Sequence, residues 1–145
     1  MLKGKKGIIF GIANDHSIAW GIAKKLHENG ADIAITYQNE ILLKRVKPLA
    51  DKLNCKLLLE CDVSKKNAIK ETIKDICKKW KNIDFIIHAV AYSDKNELNG
   101  RYVDTSKENF IKSLNISCYS FTKIAKLVEP FMNEGGSLLT LSFYG

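Results

Sequence analysis

Short apolar runs alternate with longer segments whose apolar residues recur at helical spacing, and this alternation constrains the fold most strongly. The strand-like runs are predicted at residues 7–12, 32–37, 56–62, 83–91 and 136–142. Near-continuous apolar strands are typical of a parallel sheet, because right-handed crossover helices bury both of its faces. The sequence therefore predicts an α/β protein with a doubly wound parallel sheet, of which these are the first five strands, with helices on both faces.

The intervening segments predict helices that begin and end at recognisable signals. They are expected at residues 17–29, 39–53, 64–80 and 105–128. Ser64 is expected to act as an N-cap, and Pro48 to kink or divide its helix. The polar segment 92–105 is at the upper end of length for a structureless connection, which hints at a function.

Length and composition indicate one soluble domain over residues 1–145. No apolar run approaches the roughly 18 residues that a membrane helix needs, and we expect neither a signal peptide nor a membrane contact. The 4 cysteines are irregularly spaced, which favours reduced thiols in a cytoplasmic protein. The 3 histidines are dispersed, so no metal site is predicted.

The net charge of +7 reflects 23 basic against 16 acidic residues. Much of it falls on helical segments, and solvated helix faces are favoured over a charged binding surface. No nucleic-acid-binding motif accompanies the charge, so no nucleic acid partner is predicted.

The end of the first predicted strand carries a glycine and then a serine at a helix start. Gly11 lacks a Cβ, so the backbone can turn tightly and a ligand can approach closely. Ser17 begins a helix whose free amide groups suit a pyrophosphate. Alternatively, Ser17 is only an N-cap, worth roughly 1 kcal/mol to the helix.

The second and third strands end in polar residues suited to an adenosine group. Gln38 can accept hydrogen bonds from the ribose hydroxyls, while the nearby Lys44 and Arg45 keep NADP open. Asp62 could accept a hydrogen bond from the adenine amine, with Val63 packing on the ring. The alternative for Asp62 is a simple loop residue or helix cap.

The fourth strand ends in small residues, which allow a cofactor to lie against the backbone near Val90. His88, just before them, is interpreted as a packed rather than a catalytic histidine. The coincidence of such residues at four successive strand ends indicates a dinucleotide, and hence a Rossmann-like domain.

The sequence resembles the bacterial enoyl-acyl-carrier-protein reductases, the NADH-dependent type within the short-chain dehydrogenase/reductase superfamily. The segments that carry the resemblance are GIANDHSIAWGIAKKL, TYQNE, CDV, YSF in the long helix and GSLLTLS. They follow one another in the family's order over essentially the whole chain. The pattern G-x5-S-I-A-x-G is fairly specific, since other superfamily members usually carry three glycines there.

The resemblance implies site residues, a reaction and partners. The implied cofactor-binding residues are Gly11, Ser17, Ile18, Gln38, Asp62, Val63 and Val90. Ser93 falls where the family begins to meet its substrate. The implied reaction is the NADH-dependent reduction of a trans-2-enoyl thioester in fatty-acid biosynthesis, by a homotetramer. Lys95 and Arg101 are candidates for steering the acidic carrier protein to the site.

Two departures limit what the resemblance implies. The family's Tyr-x6-Lys pair would follow Gly145, so the chain is expected to stop before the catalytic segment and no catalytic residue is assigned within it. Phe143 stands where the family often has a tyrosine, and a phenyl ring cannot donate a hydrogen bond. Tyr144 is one residue displaced, which would point its side chain elsewhere.

Two other interpretations stay open at this stage. Asn115 and Ser142 resemble the helix asparagine and strand serine of 3-ketoacyl and related short-chain reductases. A non-catalytic NAD-binding module is the second alternative. The glycine loop argues against the former, and an uncovered fifth strand against the latter.

Overall fold

The computed structural model describes residues 1–143, which form one parallel five-stranded sheet. Its strands are β1 (Lys6–Phe10), β2 (Asp32–Tyr37), β3 (Leu57–Glu60), β4 (Ile83–His88) and β5 (Met132–Thr140). The order β3-β2-β1-β4-β5 places β1 at the centre, with every neighbouring pair parallel. This order confirms the predicted doubly wound sheet, which reverses direction beside β1.

Five α-helices connect and flank the strands in the described part of the chain. They are α1 (Ile18–Glu28), α2 (Glu40–Lys52), α3 (Ala68–Trp80), α4 (Lys107–Leu114) and α5 (Ser120–Val128). A π-helical segment, Asn115–Tyr119, joins α4 to α5, so that the predicted long helix is continuous but locally widened. Pro48 lies inside α2 without dividing it.

Alternation along the strands divides the interior into two cores. Ile9 packs with residues of α1 and α2 on one face of the sheet. Its neighbours Ile8 and Phe10 pack with residues of α3 and α5 on the other. Successive side chains of a strand point to opposite faces, so three consecutive residues of β1 supply both cores.

The N-cap predicted at Ser64 is wrong. The structure places it at Asn67, whose φ of 64° is left-handed, and α3 begins one residue later. The Ser64 hydroxyl donates instead to Asp62 Oδ1 at 2.6 Å. A local bond between these neighbouring polar side chains holds a turn where the pattern predicted a helix.

Several strand bounds also differ from the prediction. β1 and β4 end at Phe10 and His88, because the residues that follow leave the sheet. β5 begins already at Met132. Ile83 of β4 pairs with Met132, whereas Phe85 pairs with Ser137, so β5 carries extra residues between these two pairs and the register shifts.

The segment after β4 is less irregular than expected. It contains two single 3-10 turns, Lys95–Glu97 and Tyr102–Asp104. Across residues 1–143, no helix is long and apolar enough to cross a bilayer, and no cluster of potential metal ligands occurs. All four cysteines are free thiols.

Candidate functional site

A cleft opens at the carboxyl ends of the central strands, where ligands bind in sheets of this topology. Its walls come from the ends of β1 to β4, the start of α2 and the π-helical segment. The lining residues are Phe10, Gly11, Ile12, Ala13, Thr36, Gln38, Leu42, Cys61, Asp62, Val63, Ala89, Val90, Ala91, Tyr92 and Ile116. The cleft thus brings together five of the residues predicted from the sequence, from four different strand ends.

Gly11 turns the chain out of β1 in a conformation that other residues avoid. Its φ is +112°, and a Cβ added to it would overlap the carbonyl oxygen of Ala89. The Ala89 amide donates to the Phe10 carbonyl at 2.9 Å, so the ends of β1 and β4 are locked side by side. A glycine is required by both conformation and space.

Ser17 stands at the N-cap position of α1, but its side chain does not cap the helix. Its Oγ accepts hydrogen bonds from the amides of Ala13 and Asn14, at 3.0 and 3.2 Å. The serine therefore closes the loop between β1 and α1. It does not line the cleft in the described structure.

Ile18 opens the first turn of α1 with its side chain 71% exposed. The first amide groups of an α-helix have no acceptor within the helix. The first turn of α1, which follows the loop closed by Ser17, thus presents amide donors and an exposed apolar side chain.

The ends of β2 and β3 supply polar groups to the cleft. Gln38 follows β2 and is solvent-exposed, while Asn39 caps α2 by accepting from the Leu42 amide at 3.0 Å. Asp62 follows β3, and its Oδ1 accepts two hydrogen bonds from Ser64. Val63 packs partly against the core beside it. An amide, a carboxylate and an apolar side chain therefore share one wall.

Beyond β4, small residues form the opposite wall. Ala89 and Val90 are half-buried and line the cleft. His88, which precedes them, is fully buried and lies beneath the wall rather than in the cleft. Burial lowers its pKa below the ordinary value of 6.5. This agrees with its interpretation as a packed histidine.

Ser93 lies outside the cleft and is held by the buried Asn109. The side-chain amide of Asn109 donates to Ser93 Oγ at 3.1 Å, and its oxygen accepts from the Asp94 amide at 2.8 Å. Asn109 also donates to Thr105 Oγ1 at 3.3 Å. One side chain of α4 thus shapes the segment that follows β4.

A charged cluster lies next to the mouth of the cleft. The Tyr92 hydroxyl donates to Asp94 Oδ1, and Lys112 Nζ donates to both, at 3.0 and 3.1 Å. The hydrogen bond from Tyr92 and then the one from Lys112 lower the pKa of Asp94. The hydrogen bonds to Tyr92 and Asp94 raise the pKa of Lys112. The cluster fixes the Tyr92 ring, which lines the cleft.

Several residues of the site were not predicted from the sequence. They are Thr36, Leu42, Tyr92, Asn109 and Ile116. Thr36 is a polar residue directly after the apolar run 33–35 of β2, which is a signal that could have been used. Ile116 carries no such signal, because its place depends on how the long helix packs across the sheet.

The remaining candidates lie outside the cleft or outside the described residues. Neither Lys44 nor Arg45 lines the cleft among the described residues, although both are exposed. Phe143 is 95% exposed. Tyr144 lies outside the described residues.

The residues that suggested another short-chain reductase are also exposed, as are those suggested for docking of the carrier protein. Asn115 begins the π-helical segment. Ser142 follows β5. Lys95 and Arg101 lie on the segment after β4. Arg101 forms an ion pair of 3.9 Å with Asp104.

Comparison with known proteins gives consistent matches. A family model described as enoyl-(acyl carrier protein) reductase matches residues 11–145. Enoyl-acyl-carrier-protein reductase (NADH) 2 of Rhizobium meliloti is 50% identical over the whole chain, which covers 54% of that protein. The corresponding NADH reductase of Rickettsia typhi is also 50% identical, with 56% of its length covered.

A solved structure matches equally well. The enoyl-acyl-carrier-protein reductase of Anaplasma phagocytophilum, in complex with NAD, is 55% identical and superposes with a TM-score of 0.94. The match covers 99% of this chain and 55% of that one. The chain thus spans about half the length of the curated relatives it matches, 54% and 56% of the two named above.

Proposed function

The chain belongs to the enoyl-(acyl carrier protein) reductase family, and on that premise we propose that residues 1–145 form the dinucleotide-binding domain of an NADH-dependent enoyl-thioester reductase. The proposed reaction saturates the double bond of trans-2-enoyl groups carried by acyl carrier protein in fatty-acid biosynthesis. The relatives named for NADH support the choice of cofactor.

The observation that carries the proposal is the convergence of four strand ends on one cleft. Gly11, Gln38, Asp62 and Val90 follow β1, β2, β3 and β4, and all line it. The chemistry of this donor set fits a dinucleotide, because it combines close backbone approach, helix amide groups and neutral or acidic acceptors.

Each residue has a distinct proposed task. The turn at Gly11 and the first-turn amides of α1 at Ile18 bind the pyrophosphate, with Ser17 holding their loop in place. Gln38 accepts from the adenosine ribose hydroxyls. Asp62 accepts from the adenine amine while Val63 packs on its ring.

The opposite wall bounds the space left for the cofactor. Val90 and the alanines on either side of it line this wall. None of the three side chains is bulky or charged, so the cofactor can lie close to the backbone. Ser93 is proposed as the first contact with the enoyl substrate. Its hydroxyl accepts from Asn109, so its position is fixed by α4.

When bound, the cofactor supplies a hydride to the β-carbon of the enoyl group. The residues of this chain orient it and exclude water from its apolar wall, and we assign none of them a proton transfer. Phe143 cannot donate a hydrogen bond, so it stabilises no developing negative charge.

Partners and assembly are proposed from the exposed surface. We propose that the exposed Lys95 and Arg101 attract an acidic carrier protein. Exposed apolar side chains along α4 and the π-helical segment form a face suited to a second copy, and we propose a cytoplasmic homotetramer. This face consists of Phe110, Ile111, Leu114 and Tyr119, which are 43%, 56%, 51% and 56% exposed.

The test measures cofactor binding and substrate choice in the full-length protein. NADH is titrated by its fluorescence, and NADH oxidation is followed with a trans-2-enoyl thioester and, in parallel, a 3-ketoacyl thioester. We expect saturable NADH binding and turnover of the enoyl thioester. Turnover of the 3-ketoacyl thioester alone would assign the protein to another short-chain reductase, and absence of NADH binding would overturn the proposed cofactor.

A further inference from the structure

A buried histidine ties the end of the central sheet to the widened part of the long helix. His88 has no solvent-exposed surface. Its Nε2 lies 2.7 Å from Ser120 Oγ, and its Nδ1 lies 2.8 Å from Thr140 Oγ1. One ring therefore connects β4, β5 and the first residue of α5.

The hydrogen-bond pattern fixes the tautomer of this ring. The Ser120 hydroxyl has one hydrogen, which it donates to the Ile116 carbonyl at 2.7 Å. Its oxygen must then accept from His88, so Nε2 carries the hydrogen. Nδ1 is left as an acceptor for the Thr140 hydroxyl. The ring is neutral, in agreement with the lowering of its pKa by burial.

The hydrogen bond from the Ser120 hydroxyl to the Ile116 carbonyl spans the π-helical segment. In this segment the regular i to i−4 hydrogen-bond pattern of the α-helix is interrupted. A second serine binds this segment to the chain after β4. The Tyr92 amide donates to Ser117 Oγ at 2.9 Å, and that hydroxyl donates to the Tyr92 carbonyl at 3.2 Å. Ile116, within the same segment, lines the cleft.

From these contacts, and resting on the proposed cofactor site, we propose that His88 is a positioning residue for NADH binding. Its Nε2–H holds Ser120 and the π-helical segment against β4, which keeps Ile116 and Val90 together as one wall of the cleft. The Thr140 bond orders the ring but does not reach the wall.

Conservative variants separate the two bonds of the ring. The amide of His88→Gln places a donor near the position of Nε2, whereas that of His88→Asn reaches only the position of Nδ1. Ser120→Ala removes the link to the helix, and Thr140→Val removes the link to β5. His88→Gln is therefore the matched control for His88→Asn, because it keeps a donor for Ser120. Thr140→Val is the matched control for Ser120→Ala, because it leaves the bond between His88 and Ser120 in place.

The measurements are the dissociation constant of NADH and the folding stability of the full-length protein. We expect His88→Asn and Ser120→Ala to raise the dissociation constant roughly tenfold, the cost of one buried hydrogen bond. We expect His88→Gln and Thr140→Val to stay within about twofold of wild type, even where stability falls. If the histidine merely packed the interior, the folding stability would change in all four variants and the dissociation constant of NADH would not.

Two results would overturn the inference. One is an unchanged dissociation constant in both His88→Asn and Ser120→Ala; the other is an equal rise in Thr140→Val. If His88→Asn does not fold, nitrogen NMR of the wild-type ring decides, because a hydrogen on Nδ1 contradicts the proposed coupling. A wild-type protein that does not bind NADH would refute the proposed function. Nitrogen NMR of the His88 ring would still test whether Nε2 donates to Ser120.

Discussion

The α-carbon of Gly11 faces the carbonyl oxygen of Ala89 so closely that no Cβ fits between them. This approach joins β1 to the turn after β4 and leaves backbone, rather than side chain, at the base of the cleft. The positive φ of +112° at Gly11 adds a second reason for glycine.

Replacing Gly11 by alanine should therefore lower the free energy of unfolding, by about 1–3 kcal/mol, and weaken NADH binding. Gly21→Ala is the matched control, because a Cβ there meets nothing within 4 Å. Since Gly21 lies inside α1, its replacement should raise stability by roughly 0.5–1 kcal/mol. Urea unfolding of both variants checks the pair, and equal effects would contradict the close approach.

Gln38 is expected to contribute to cofactor affinity through its side-chain amide. Gln38→Ala should raise the dissociation constant of NADH by about tenfold, because ribose hydroxyls lose their partner. Lys52→Ala, at the far end of the following helix, should leave it unchanged. Titration of NADH into the two variants measures the difference, and a similar constant in both would exclude Gln38 from the site.

Asp84 should make the protein sensitive to acid. Burial would raise its pKa, but hydrogen bonds from Asn133 and the Lys6 amide, with the charges of Lys5 and Lys6, bring it below the ordinary 3.8. The unfolded state then binds more protons as the pH falls, so stability present above about pH 4 is lost below it.

Asp84→Asn should remove this part of the acid dependence at some cost in stability at neutral pH. The free energy of unfolding of wild type and variant, measured from pH 6 down to 3, gives the comparison. Parallel pH profiles for the two proteins would refute the prediction.

His88 should add a second pH dependence at a higher pH. Desolvation lowers its pKa below 6.5, so the unfolded chain takes up a proton before the folded one does. Stability should fall as the pH decreases from about 6.5 towards the folded pKa. His88→Gln has no titrating ring and should show a flatter profile over this window. A wild-type profile that is flat there would contradict a buried neutral ring.

The exposed apolar face on α4 predicts how the protein associates. Ile111→Asp should shift the protein towards smaller species, because a carboxylate would be buried in the interface without a partner. Ile41→Asp is a suitable control, since Ile41 is 74% exposed but lies on α2. Sedimentation velocity separates the species, and an unchanged distribution for Ile111→Asp would place the interface elsewhere.

The sequence was sufficient for the fold and for much of the cleft, because both depend on local signals. Apolar periodicity identified the five strands of residues 1–143, and residues at the strand ends, such as Gly11 and Gln38, lie where parallel topology requires. Contacts between residues far apart in the chain could not be predicted from these local signals. Ile116 and Asn109 reach the site only through the packing of the long helix. Ser64 does not cap α3 as predicted, because its hydroxyl donates to Asp62 within a turn.

The division of β1 between two cores has a consequence for how this protein can change in evolution. One residue inserted before Ile8 would exchange the sides of Ile8, Ile9 and Phe10, so that each met the wrong set of helices. No repacking of a single neighbour could compensate. Length variation among descendants of this chain should therefore collect at residues 98–104, which are all exposed, so that added residues there displace no core position.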